Sequence, residues 1–194
     1  MSNLKELTKE VHNTAERQDF VKVLMSGKIN PKLYATYLWN QHKKYDILEA
    51  MAAVNGIFAE IGYPIQRKIA IEQDFLELWD DKNNPPEIVP STHEYIEHMR
   101  TIMTDRDAIM AHIYTLHMGD LSGGQMIGRK VPGEGRMYKF EGDIKEIKEA
   151  IRACIKDEMA EEAKYVFGSA TKLFQELMEL DLEHYLESSD TVSE

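Results

Sequence analysis

Apolar positions recur at intervals of three and four along almost the whole chain, and no stretch shows a convincing period of two. The pattern predicts an all-α protein. Leu4, Leu7, Val11 and Ala15 mark one face of a first helix. Asn30-Pro31 predicts the start of a second, with Asn as cap and Pro at the first helical position. Tyr34, Tyr37, Leu38, Tyr45, Leu48 and Met51 carry it onward. A third is expected from near Pro64 to just before Asn83-Asn84-Pro85-Pro86, a strong breaker. Ser91 with Glu94 reads as a capping box for a fourth. A fifth runs from about Asp107 toward Arg129, and Pro132-Gly133-Glu134-Gly135 forms a loop. Asp143 with Glu146 marks another helix start, and the rest is helical to about Leu186, with a candidate break around Gly168. Residues 135–142 carry no pattern that places them. The expected organisation is one domain over residues 1–187 and a polar tail over 188–194.

One interruption of the pattern stands out. Gly119-Asp120-Leu121-Ser122-Gly123-Gly124-Gln125 places three glycines inside a helical stretch. Each costs roughly 1 kcal/mol relative to Ala in a helix interior. Either the helix bends or crosses another closely here, leaving Asp120 solvated, or its backbone must approach a bulky object that a Cβ would block.

Composition narrows the function. With 194 residues, 43% of them hydrophobic and 29% charged, the chain can bury one substantial core. No apolar run is long enough to span a membrane, and the N-terminus lacks the apolar core of a secretion signal, so cytoplasmic residence is expected. The net charge of −11 argues against nonspecific nucleic-acid binding. Cys154, the single cysteine, cannot form an internal disulfide and is expected to be a small core residue.

Seven histidines are present, but no Glu-x-x-His pair, His-Glu-x-x-His, P-loop or Gly-x-Ser-x-Gly accompanies them. A di-iron site, a zinc protease, a nucleotide-binding loop and a hydrolase elbow are therefore disfavoured. His12 lies beside the apolar stripe of the first helix. Glu16, one turn on, can hold one ring nitrogen and leave the other free for a metal, and Lys5 sits two turns earlier on nearly the same face. A lone helical His is more often structural than a ligand.

Residues 5–16, Lys-Glu-Leu-Thr-Lys-Glu-Val-His-Asn-Thr-Ala-Glu, and residues 111–125, Ala-His-Ile-Tyr-Thr-Leu-His-Met-Gly-Asp-Leu-Ser-Gly-Gly-Gln, resemble the proximal and distal helix motifs of the heme oxygenases. Tyr45-Asp46-Ile47-Leu48-Glu49, Ile71-Glu72-Gln73-Asp74-Phe75 and Gly133-Glu134-Gly135 are smaller echoes in the same order. The resemblance implies an all-α fold with heme between the two helices. Heme would be both cofactor and substrate, cleaved with O2 and electrons to biliverdin, CO and ferrous iron. His12 would ligate the iron and Glu16 would hold its other nitrogen. Gly119, Gly123 and Gly124 would let the backbone lie over the porphyrin. Asp120 would organise distal water, with Tyr45 and Tyr114 nearby. Lys5, Lys148 and Arg152 would meet the propionates. Electrons would come from ferredoxin, flavodoxin or a soluble reductase, and a bilin reductase could act downstream.

The chain departs from the family pattern at Leu116, where many relatives have Arg, and at His117, where they often have Tyr. His117 either supports the water network or packs against another helix. Two other readings stay open: a module that stores, delivers or senses heme without degrading it, which Leu116 keeps in play, and an all-α relative that handles a small organic substrate without heme, as thiaminase-like proteins do.

Overall fold

Residues 2–81 and 83–180 are described here, from a computed structural model. The end of the predicted last helix, residues 181–186, which includes His184, and the polar tail lie outside the described residues.

The N-terminal stripe folds as two helices rather than one, α1 (Leu4–Leu7) and α2 (Lys9–Glu16). Thr8 sits between them, and its hydroxyl donates to the carbonyl of Leu4 at 2.8 Å, competing with the helical ladder. Leu4 and Ala15 are buried, whereas Leu7 is exposed. After α3 (Asp19–Ser26) comes α4 (Pro31–Val54), the longest helix among the described residues. Asn30 caps it as expected, its Oδ1 accepting from the backbone N–H groups of Lys32 and Leu33. Fourteen of its 24 residues are buried, polar ones among them, so α4 is wrapped by neighbours instead of showing one apolar stripe.

The expected third helix starts later than Pro64. A short α5 (Ile57–Ile61) precedes it, and α6 (Lys68–Leu78) begins only after an irregular stretch that brings Arg67 against Glu49. In α7 (Pro90–Thr101) the capping box of Ser91 and Glu94 does not form. Pro90 takes the first turn, the N–H and hydroxyl of Ser91 both donate to Glu176, and Glu94 pairs with Lys172. Partners 85 and 78 residues away override the local signal.

The glycine-bearing stretch is α8 (Arg106–Ser122) followed by a short α9 (Gly124–Ile127), so the helix breaks at Gly123. Residues 136–138 form a single 3-10 turn pinned to α6, where Asp74 accepts from the backbone N–H of Met137 at 2.9 Å and pairs with Arg136 at 3.1 Å. Asp143 caps α10 (Ile144–Ala153), accepting from the N–H groups of Lys145 and Glu146. Then α11 (Ala160–Glu179) runs without a break through Gly168. Cys154 is buried, as expected of a core residue. No strand occurs among the described residues, and no helix among them is long and apolar enough to cross a membrane.

Two apolar clusters fill the interior. One gathers α5, α7, α8 and α10 around Tyr95, Ile113 and Ile151, and the other gathers α3, α4 and α6 around Phe20, Tyr34 and Phe75. Leu116 touches both. Helices α2 and α8 each lie against α11, which therefore positions the two sequence motifs.

Candidate functional site

Asp120 lies in the last turn of α8 with its carboxyl buried. Tyr45, from α4, donates its phenol O–H to Asp120 Oδ2 at 2.5 Å. Burial raises the Asp120 carboxyl to about 7, against the hydrogen bond from Tyr45 and the positive charge of Arg67, while Glu49 pushes the same way as burial. The Tyr45 phenol is held well above its ordinary value by burial and then by the carboxylate it faces.

A buried polar path continues from this pair. The ring of His117 lies 5.2 Å from that of Tyr45, and its Nε2 is 3.4 Å from Glu49 Oε1. Glu49 accepts the backbone N–H groups of Arg67 at 2.5 Å and Lys68 at 3.3 Å. The Arg67 guanidinium donates to the carbonyls of Lys139 and Ile65 and lies over Phe140. His117 thus faces α4, while Leu116, partly buried, packs against both apolar clusters.

The glycines divide by what surrounds them. A Cβ on Gly119 would meet nothing within 4 Å, and one on Gly123 only the carbonyl of Gly119 at 3.8 Å. Neither residue has a positive φ. Neither backbone strain nor packing against another helix therefore requires glycine at these two positions, and what is left is room kept on the helix surface next to a buried acid. Gly124 is different: a Cβ there would sit 2.5 Å from the ring of Tyr138. Packing alone demands glycine at Gly124. The strip at Gly119 and Gly123 is a cradle that added Cβ atoms would begin to fill.

On α2, His12 turns one ring nitrogen to Glu16 Oε1 at 3.4 Å and meets the edge of Phe167 of α11 at 5.2 Å between ring centres. Its side chain is 45% exposed. Lys5 and Arg152 are exposed and Lys148 is half-buried, and none of the three makes an ion pair among the described residues. Arg152 is near enough to Tyr114 to lower its phenol, though burial has the larger effect and leaves it raised overall.

The structure therefore joins Tyr45 with Asp120, His12 with Glu16, and Tyr114 with Arg152, and no direct hydrogen bond or ion pair links one of these groupings to another among the described residues. Glu49 and Arg67 have a place beside Asp120 that the sequence reading did not assign. Burial of two charged side chains was the signal, and it exists only once the helices are packed.

The heme oxygenase family model matches residues 1–179. The fold is similar to that of heme oxygenase-1 from the cyanobacterium Synechocystis in complex with heme, at 26% identity and a TM-score of 0.80, covering 96% of this chain and 93% of that one. It is also similar to the heme oxygenase of Leptospira interrogans, at 28% identity and a TM-score of 0.76, covering 89% and 97%. Among curated sequences it is 31% identical to heme oxygenase 2 of Macaca fascicularis over 90% of this chain, which spans 64% of that protein's length. The chain belongs to the heme oxygenase family.

Proposed function

We propose that this chain cleaves heme to biliverdin, CO and ferrous iron. The observation that carries the reading is the strip at Gly119 and Gly123, open on the helix surface and bordered by the buried, proton-holding Asp120. Bound heme would supply the iron at which O2 is reduced and the ring that is oxidised. The residues of the chain do the rest. His12 would give the iron its axial nitrogen, and Glu16 would orient the ring through the other one. Gly119 and Gly123 would bring backbone over the porphyrin, and Lys5, Lys148 and Arg152 would meet the propionates.

Asp120 is suited to hold and pass a proton through water, because a carboxyl that titrates near 7 can do both at neutral pH. Tyr45 fixes its orientation. The positive charge that stabilises its ionised form comes from Arg67, from outside the distal helix, where position 116 offers only an apolar side chain. Electrons would come from a ferredoxin, a flavodoxin or a soluble reductase, in a cytoplasmic setting.

The test is to mix the protein with one equivalent of hemin and supply ferredoxin, its reductase and NADPH under air. The Soret band is expected to form, then decay as biliverdin absorption grows. A band that persists after verified reduction would support storage or sensing instead. Failure to form a band would remove heme and favour a small organic substrate.

A further inference from the structure

A second cluster of ligating groups joins α7, α8 and α11 and shares no residue with the site above. His98 Nε2 lies 2.5 Å, and His112 Nε2 2.6 Å, from the same oxygen, Glu162 Oε1. The three ligand atoms fall within 4.8 Å of one another. The Tyr95 hydroxyl lies 2.8 Å from His112 Nδ1, and Tyr165 packs on the His98 ring at 3.8 Å between ring centres. The His112 side chain is fully buried, whereas those of His98 and Glu162 are 26% and 21% exposed. The cluster is sealed on one side and reached by solvent on the other.

We propose that His98, His112 and Glu162 form a binding site for a divalent transition metal of the zinc class, with a fourth position open to water on the exposed side. Two imidazole nitrogens and one carboxylate oxygen are a donor set that zinc takes where three protein ligands leave a position free. Bonds of about 2.0–2.1 Å space tetrahedral ligands by roughly 3.3 Å, so the three ligand atoms, which lie within 4.8 Å of one another, rearrange by up to roughly 1.5 Å to admit the ion.

With His112 Nε2 on the metal, Nδ1 carries the ring hydrogen and donates it to the Tyr95 oxygen, which fixes both tautomer and ring plane. Lys44, whose ammonium lies over the Tyr95 ring at 4.5 Å, opposes the charge of the ion. Burial lowers that lysine to about 7, and it can release its proton as the metal enters.

Equilibrium dialysis against buffered zinc, with elemental analysis of zinc per chain, tests the site on the full chain both with and without hemin. One zinc per chain is expected in both forms, and in His12→Ala. Affinity should fall at least about 100-fold in His98→Ala and in Glu162→Gln, and about 10–100-fold in Tyr95→Phe, which removes only the outer hydrogen bond. Glu162→Gln preserves shape, so its thermal transition should stay cooperative. Absence of zinc from the wild-type chain at about 10 μM free metal, or undiminished binding in His98→Ala and Glu162→Gln, would overturn the proposal. Loss of zinc on deleting His12 alone would place the metal at the heme ligand and overturn it too.

Discussion

Tyr45 and Asp120, 75 residues apart, meet in a buried hydrogen bond of 2.5 Å that ties the central helix α4 to the last turn of α8. The bond restrains the acid in two ways: it fixes where the carboxyl points, and it opposes the rise in proton affinity that burial imposes. Tyr45→Phe should therefore move the Asp120 titration upward, carry the pH profile of heme turnover in the same direction, and cost about 1–3 kcal/mol from the unpaired buried oxygen. A pH–rate series on both proteins, with urea midpoints, checks this. An unmoved profile would separate Asp120 from the rate.

The raised carboxyl also predicts how stability depends on pH. Asp120 keeps its proton up to about 7 in the fold but only to about 3.8 in the unfolded chain. Between these values the folded state binds more protons, so stability falls as pH rises, by up to about 4 kcal/mol, and levels off above about 7. Asp120→Asn removes that slope. Its advantage over the wild type should be small near pH 4 and full at pH 8, as read from urea midpoints at each pH.

The glycines make opposite predictions within six residues of sequence. Gly119→Ala should raise stability by about 0.5–1 kcal/mol, since nothing stands near the added Cβ and alanine favours the helix. The same change should weaken hemin binding, because the open strip is partly filled. Gly124→Ala should instead lower stability by about 1–3 kcal/mol, as its Cβ would enter the ring of Tyr138. Thermal transitions and hemin titrations of the two variants give both answers.

His12 is held by Glu16 and the edge of Phe167, with half its side chain exposed. His12→Ala should fold normally, lose reductant-driven turnover, and regain part of it when imidazole is added. Full activity without imidazole would remove His12 as the iron ligand.

Lys44 is a buried amine with a 3.4 Å contact to Ser169 Oγ and the face of Tyr95 beside it, and the charge of Glu176 only partly offsets its burial. Burial lowers its proton affinity from the ordinary 10.5 to about 7. A group held neutral in the fold and charged in the unfolded chain destabilises most below about pH 7, and the penalty fades as pH rises toward about 10. Lys44→Met should therefore raise the melting temperature most at pH 6 and least at pH 9.

Local signals were legible where the chemistry is local. Asn30-Pro31 opens α4, Asp143 caps α10, and the glycine-rich run marks the distal segment. Thr8 was not legible as a break, because its hydroxyl bond to Leu4 competes only weakly with a continuous helix. Ser91 failed as a cap because Glu176 claims it from the far end of the chain. Arg67 and Glu49 became visible beside Asp120 only through packing, and His98, His112 and Glu162 converge from three helices that no spacing rule connects. Pairings over 18 to 85 residues decide these sites, and helical periodicity does not encode them.

Heme cleavage by this chain is tested by quantifying CO, biliverdin and released ferrous iron from a single turnover of the hemin-loaded protein, with ferredoxin, its reductase and NADPH under air. The three products are expected in equal amounts to the heme consumed. Heme recovered intact, or heme lost without CO, would contradict it.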